Sequence, residues 1–290
     1  MRQRLTSATA ILLLLSAGLG CSLLRPKRPV TWHVTLEVDP SATDREAAVR
    51  QTVAIIESRL NAFGVSRFEV RPQGDATQGR IIVSLPDVPD RERIKKMITA
   101  GGKLELTAVV TPPSPAPVQT YNSREEAIAS MAAPGGTIPA NRRLLPYTER
   151  DEPRGLNNTP EYSQQPAKWL VVESPPIVDG SELRNATAVP SRTGIQDYYI
   201  VFSLKRAGAE KFGTWTGSHI NSYLGVVLND EVKSVAFIKS QIFDQGEISG
   251  RFTKQSAEDI ARVLNSGALP VPVKIVEEGV TKNQATAPQR

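Results

Sequence analysis

The sequence predicts an α+β protein, and three observations carry that prediction. Stretches with the two-residue alternation of a half-buried strand are interleaved with stretches that carry a helical apolar stripe. Residues 30–110 pass through them in the order strand, helix, strand, strand, helix, strand. Residues 198–278 give a second mixed series: strand, helix, hairpin, strand, helix, strand.

In the first series, Val30, Trp32, Val34, Leu36 and Val38 alternate with Thr31, His33, Thr35 and Glu37, which describes a strand with one buried face. Thr43-Asp-Arg-Glu46 has the form of a capping box. It opens a helix whose Val49, Val53, Ile56, Leu60 and Phe63 make one stripe, with Gly64 as its left-handed stop. Residues 65–71 and 80–85 read as two strands joined through a turn at Gln73-Gly-Asp75. A short helix follows through Ile94, Met97 and Ile98, Gly101-Gly102 ends it, and residues 104–110 read as a fourth strand. The order βαββαβ is that of a ferredoxin-like, split βαβ unit.

From residue 111 to 168 the character changes. Ten of the chain's 22 prolines fall there, which leaves room for one short helix at 123–131 and otherwise extended chain. So long a connection marks either a domain junction or a wrapping segment. Residues 169–172 resume strand character, 179–184 read as a short helix and 186–189 as a strand.

In the second series, Tyr198, Ile200, Phe202 and Leu204 alternate with Tyr199, Val201 and Ser203 as a strand. Residues 205–221 suit a helix with Phe212, Trp215 and His219 on one stripe. Residues 224–228 and 232–238 flank Asn229-Asp230, a pair that tolerates positive φ and suits a tight hairpin. Thr253 is the expected N-cap of a helix carrying Ile260, Val263 and Leu264, and Gly267 its left-handed end. Pro270 and Pro272 then lead into a final strand at 273–276.

Composition bounds the function. With 290 residues, 40% apolar and 22% charged, the chain is long enough for one large or two small cores. A net charge of +5, spread along the chain, gives no nucleic-acid footprint. Arg25-Pro-Lys-Arg28 is the best candidate for attraction to anionic lipid. Arg2 and Arg4 precede an uncharged run at 5–24 with its apolar centre at 11–15, a secretory signal pattern. The single cysteine, Cys21, follows Gly18-Leu-Gly20 and resembles the acylated cysteine of a bacterial lipobox, although that pattern favours a Leu-type residue at position 18. The alternative is an uncleaved signal anchor. Either way the body lies outside the cytoplasm, and with one cysteine no intramolecular disulfide forms.

No catalytic constellation emerges. His33 and His219 are the only histidines; the first reads as a solvated residue on a polar strand face, the second as a satisfied residue at a core edge. Neither has metal-ligand spacing. Gly101-Gly-Lys103 is followed by Leu104 and lacks the spaced upstream glycine of a phosphate loop. No G-x-S-x-G occurs, and Glu277-Glu278 reads as a solvated strand end. No catalytic, cofactor or metal residue is therefore assigned, no cofactor is expected, and the reading is that of a non-enzyme.

Several strings, in order, resemble the first periplasmic domain of the SecD family, the accessory subunit of the bacterial Sec protein-export channel. They are Gln51-Thr-Val-Ala-Ile-Ile-Glu-Ser-Arg-Leu-Asn-Ala-Phe-Gly-Val65, Arg80-Ile-Ile-Val-Ser-Leu-Pro-Asp-Val-Pro-Asp90 and Lys103-Leu-Glu-Leu106. Further on come Phe202-Ser-Leu204, Ala209-Glu-Lys-Phe212, Val226-Val-Leu-Asn-Asp230, Gly250-Arg-Phe-Thr253 and Gly267-Ala-Leu-Pro-Val-Pro-Val-Lys-Ile-Val-Glu-Glu278. The resemblance implies a ferredoxin-like base beside the membrane, with a swinging α+β head inserted before the final strand that holds emerging polypeptide. On this chain it implies a signal or lipobox at 1–21, a base at 22–110, a proline-rich connection at 111–168, a head at 169–267, a return strand at 268–278 and a disordered tail at 279–290. The family continues past the Glu-Glu string into membrane helices that use the proton-motive force, and begins with a membrane helix. This sequence ends at Arg290 and begins with the lipobox-like signal.

The expectation is a membrane-anchored extracytoplasmic module that assists Sec-dependent export. Its partners would be unfolded or emerging exported polypeptide, Sec translocon subunits and, through Cys21, the membrane. Phe212, Trp215, Tyr198, Tyr199 and Tyr223 are candidates for a sticky patch, with core packing the commoner use of such side chains. Exposed sheet edges offer capture by strand addition. The competing reading is an envelope scaffolding lipoprotein that keeps the fold without an export role; an enzyme is the third.

Overall fold

The structure, a computed structural model, describes residues 32–112, 116–131, 137–147, 168–191 and 197–281. Cys21 and the signal lie outside the described residues. The architecture is α+β, a base sheet carrying two helices with a larger head inserted before the last strand.

The base begins with β1 (Trp32–Val38), whose Trp32, Val34, Leu36 and Val38 are fully buried. Helix α1 (Arg45–Ala62) follows; its N-cap is Asp44, one residue after the expected Thr43, and the Asp44 carboxylate accepts from the Ala47 amide at 2.9 Å. Gly64 takes φ +74 just beyond the α1 C-cap, as an αL exit requires. Strands β2 (Glu69–Pro72) and β3 (Arg80–Leu85) lead to helix α2 (Arg91–Thr99), which buries Ile94, Met97 and Ile98.

The return strand closes the base as expected, but the strand expected at 104–110 does not belong to it. Strand β4 (Leu104–Ala108) pairs antiparallel with the head strand β10 (Tyr223–Leu228), Leu106 opposite Val226. The place beside β1 is taken by β13 (Val273–Val280), and the base sheet has the order β13-β1-β3-β2. The ferredoxin-like order is thus completed by the returning chain, and the expected base strand at 104–110 belongs to the head sheet. Its alternation of buried leucines is the same whichever sheet it joins. Between α2 and β4 the chain passes through Gly102 at φ +70. Strand β13 also extends past the expected end at residue 278, with Gly279 and Val280 opposite His33 and Trp32. The Trp32 indole donates to Glu278 at 3.1 Å, and Lys95 of α2 pairs with the same carboxylate at 3.1 Å.

The head holds two sheets. One has six strands in the order β6-β5-β11-β10-β4-β7, using β5 (Arg142–Tyr147), β6 (Lys168–Glu173), β7 (Val178–Asp179) and β11 (Glu231–Phe237). The other has three, β12-β9-β8, from β8 (Leu183–Pro190), β9 (Tyr198–Leu204) and β12 (Gln245–Phe252). The β10–β11 hairpin turns at Asn229 and Asp230, both at positive φ, the pattern of a type I′ turn. The short helix expected at 179–184 is a 3-10 turn at Gly180–Glu182, closed by an Asp179–Glu182 capping box. In the proline-rich connection the expected short helix is α3 (Arg124–Ser130), capped by Ser123. A strand was not expected there, yet β5 pairs with β6 along its whole length.

Helices α4 (Arg206–Ser218) and α5 (Lys254–Asn265) complete the head. Thr253 caps α5 and Gly267 follows it at φ +91. Helix α5 is shared between cores: Ala257, Ala261 and Leu264 pack into the head, while Val263 packs with Leu60, Ile98 and Leu269 in the base core. Asn265 holds the outer edge of β8, its carboxamide accepting from the Ala186 amide at 2.7 Å and donating to the Ala186 carbonyl at 2.8 Å.

At the crossing between the two parts lies Arg59, fully buried in α1. Its guanidinium donates to the carbonyls of Met97 (3.0 Å), Ala100, Gly101 (3.4 Å) and Gly267 (3.0 Å). Burial pushes its pKa down to about 10, so it stays charged at neutral pH. A Cβ on Gly102 would lie 2.9 Å from Arg59 Nη2 and 3.1 Å from the Gly267 carbonyl oxygen and Val263 Cγ1. We expect Gly102→Ala to lower stability by about 2–3 kcal/mol, because positive-φ strain and crowding add; a fall in the urea midpoint at constant m-value checks it.

The Lys95 hydrogen bond, then the Trp32 indole, holds the Glu278 carboxyl below its ordinary pKa of 4.5. A depressed carboxylate stabilises the fold above the unfolded pKa and loses that contribution as pH falls through the folded one. The Trp32 indole N–H resonance should therefore shift as pH falls below 4.5, and Glu278→Gln should flatten that titration.

Candidate functional site

The residues the sequence offers for chemistry do not converge. His33 is half-buried, with Nδ1 3.0 Å from the Ser84 hydroxyl and Nε2 2.6 Å from that of Thr281, so it is engaged with hydroxyls where a solvated histidine was expected. His219 caps the end of α4, donating from Nδ1 to the Trp215 carbonyl at 2.8 Å and stacking on the Trp215 ring at 4.3 Å. Glu278 is exposed near the end of β13, the solvated position expected for it, and is in addition tied to Trp32 and Lys95. Among the described residues no group of three or more His, Cys, Asp or Glu side chains is placed to hold a metal ion.

The buried carboxylate is Glu105 on β4. Lys103 lies 3.0 Å from one of its oxygens and Arg143 of β5 2.5 Å from the other, and both cations also approach Asp230 in the hairpin turn. Each charge in this quartet has an opposite partner, so it welds β4, β5 and the hairpin together. Its role is architectural.

Among its exposed side chains the head carries three large apolar ones. Ile220, Phe237 and Phe243 are 40%, 37% and 64% accessible, far above the core side chains. Ile220 and Phe237 come from one neighbourhood, while Phe243 lies against Gly213 of α4. The backbone of Asn221 donates to Ile238 and that of Ile238 to Ser222, which joins the end of β11 to the segment after α4. Phe237 stands opposite Tyr223 with ring centroids 5.2 Å apart. Beside Ile220 and Tyr223 a cleft of about 350 Å³ is lined by Val109, Thr111, Pro112, Ile220, Asn221, Ser222 and Tyr223. The Tyr223 hydroxyl donates to the Ala116 carbonyl at 3.2 Å, which brings the proline-rich connection to this surface.

Phe243 is held outward by a strap. Residues 239–244 run along α4, where Gly213 and Gly217 leave room for Gln241 and Phe243. The Thr216 hydroxyl, fully buried, accepts from the Ile242 amide at 2.9 Å, and Gln241 donates to the Gly213 carbonyl at 2.9 Å. An exposed phenylalanine on an anchored loop loses little entropy when it meets a partner. Of the aromatic set read from the sequence, Phe212 is core, Trp215 and Tyr198 pack half-buried against the head core, Tyr199 is half-buried on β9, and Tyr223 borders the cleft. Phe237 and Phe243 were missed; a lone aromatic in the polar string Lys239-Ser-Gln-Ile-Phe-Asp244 is the only signal the sequence carries for the second.

Comparison with known proteins falls on both parts of this architecture. The SecDF P1 head subdomain matches residues 157–271, and the N-terminal part of the P1 domain of protein translocase subunit SecDF matches 49–111. The chain belongs to the SecD/SecDF P1 family. It is 32% identical over 236 residues to protein translocase subunit SecD of Aquifex aeolicus, covering 81% of this chain and 40% of the relative. It is 33% identical over 234 residues to that of Koribacter versatilis, covering 81% and 39%. The P1-like chain thus spans about two-fifths of the length of the curated relatives it matches. Among solved structures, SecDF in its super-membrane-facing form aligns with a TM-score of 0.62 and 25% identity over 87% of this chain and 32% of that one. A second, described as a membrane component SecDF that enhances protein export, aligns at 0.59 and 27% over 84% of this chain and 98% of that one.

We expect Thr216→Val to release the strap, since it leaves the Ile242 amide buried without an acceptor at a cost of about 1–3 kcal/mol. Hydrogen exchange at Ile242 should accelerate while exchange in β9 stays slow.

Proposed function

We propose that this P1 module assists Sec-dependent protein export by holding emerging polypeptide on the head. The observation that carries the reading is the SecDF P1 match on both base and head, the head exposing Ile220 at a cleft, Phe237 against Tyr223 of that cleft, and Phe243 on the strap along α4. An unfolded chain offers apolar side chains without fixed geometry. A patch of separated apolar anchors on a rigid support binds such a ligand weakly and with little sequence preference. No helix among the described residues is long and apolar enough to cross a membrane. Attachment is assigned in this proposal to the N-terminal segment, with Cys21 as the acylated residue, the body on the extracytoplasmic side and Sec translocon subunits as partners.

The test uses a photo-crosslinking residue at Phe243 or Ile220 in cells, and binding of a reduced, unfolded protein in solution. Crosslinks to nascent exported chains are expected. Phe243→Ser combined with Ile220→Ser should weaken binding of the unfolded probe about fivefold or more. The melting temperature should stay nearly constant, because both side chains are exposed. Equal affinity of the chain for folded and unfolded probe would overturn the proposal.

A further inference from the structure

We propose, resting on the holding role given to the head above, that the outer edge of β11 at residues 234–237 takes up an extended segment of polypeptide as an added strand. Strand β11 pairs with β10 along its length, but β5 meets it only where Val232 stands opposite Tyr147. The register between β10 and β11 slips at Val226 and Val227, which leaves Lys233 as a bulge. Beyond that bulge no strand among the described residues follows β11 on its outer side. The Val109 amide donates to the Tyr223 carbonyl at 3.0 Å, and the Ile238 amide to the Ser222 carbonyl at 2.9 Å. Tyr223 therefore turns its backbone toward β4, and Ile238 turns its own toward β10. The alternation of an antiparallel ladder then directs the N–H and C=O groups of Val235 and Phe237 away from β10. These groups have no backbone partner among the described residues. Ala236 and Phe237 are exposed and Ser234 and Val235 half-buried, so the edge is within reach of a ligand.

Other sheet edges are blunted. Asn265 bonds the edge of β8 at Ala186, and β2 is four residues long and ends at Pro72. Strand β13 carries Lys274, Glu277 and Glu278 and bulges at Val276. Residues 234–237, Ser-Val-Ala-Phe, hold no charge, proline or glycine, the devices that keep an edge from pairing. Val235 and Phe237 share one face with Tyr223, so an added strand is favoured when apolar residues stand at its alternate positions. Charge decides between a foreign segment and a second copy. The self-pairing that bonds every free group sets Val235 of one copy against Phe237 of the other, and hence Lys233 against Lys239. Glu231 lies 2.5 Å from Lys233, but exposed Lys239 brings a second cation to that position, and like charges directly opposite weaken a strand pair. The same two lysines bracket the free edge and complement a segment with acidic residues at its ends. The occupant is therefore an extended, apolar segment of unfolded polypeptide flanked by acidic residues.

The test uses the full chain and a capped peptide, Glu-Val-Thr-Val-Thr-Val-Glu. A second version is N-methylated at every valine and threonine, which keeps the side chains and removes the amide donors. Hydrogen exchange at Val235 and Phe237 should be fast in the free chain and slow by about tenfold or more under saturating peptide. Exchange at Ser234 and Ala236, already bonded to β10, should change little. The methylated peptide should bind about tenfold more weakly. Val235→Pro, which removes an outward donor at an edge position where proline is tolerated, should weaken the unmethylated peptide by a similar factor. Should that variant fail to fold, the comparison of the two peptides on wild type decides alone. Equal affinity for both peptides, or no added protection at Val235 and Phe237, overturns strand addition. Either result leaves the holding role to the exposed side chains, which the unfolded protein probe tests separately. A concentration-dependent dimer that protects the same amides without peptide also overturns it, by making a second copy the occupant.

Discussion

One buried guanidinium sets the constraint on which the fold depends. Inserting a head between α2 and β13 forces two chain crossings at one end of the base. Each crossing brings carbonyls that no helix or strand can satisfy. Arg59 meets them without a counter-charge: four carbonyl oxygens from 97, 100, 101 and 267 take its protons. A lysine has a point charge and three donors, and cannot spread across two crossings as the planar fork does. The cost appears in the lowered pKa and in the buried Nε, which finds no partner. The crossings need the guanidinium, and the guanidinium is tolerable only because they surround it.

From that joint the two cores follow. The base core is closed by β13, a strand more than 170 residues along the chain from α2, so the base is incomplete until the head has been made. Helix α5 joins them by giving Val263 to one core and Ala257, Ala261 and Leu264 to the other. The same helix guards the β8 edge through Asn265, which stands in for a neighbouring strand at Ala186. Strand addition at that position is therefore closed, and the exposed apolar side chains Ile220, Phe237 and Phe243 offer the better-supported contacts for a polypeptide.

The sequence was most informative where local chemistry decides structure. The alternation in β1, the Asn229-Asp230 turn, the Thr253 cap and the Gly267 exit could be read because each depends on residues within one turn of the chain. Partner choice was not readable in this way. Leu104 and Leu106 bury equally well in either sheet, and only the distant pairing with Val226 puts β4 in the head. Strand β5 hid behind Pro146, which demotes a stretch as a strand candidate although β6 tolerates it opposite Trp169. Arg59 sits at a core-facing position of an otherwise ordinary amphipathic stripe, and its four acceptors are backbone atoms, which leave no trace in a sequence.

The candidate surface was hard to read for a related reason. Catalysis leaves spaced titratable residues, whereas holding an unfolded chain needs apolar groups that stay out of the core. In sequence an exposed phenylalanine looks the same as a buried one. What separates Phe243 from Phe212 is the support: Gly213 and Gly217 thin one side of α4, and Thr216 and Gln241 fasten the 239–244 strap to it. Fastening the strap at Ile242 fixes the backbone on each side and leaves the next side chain touching α4 only near Gly213 and otherwise open to water. The apolar surface is thus built by polar contacts beneath it, and those contacts make a non-specific anchor compatible with a well-ordered head.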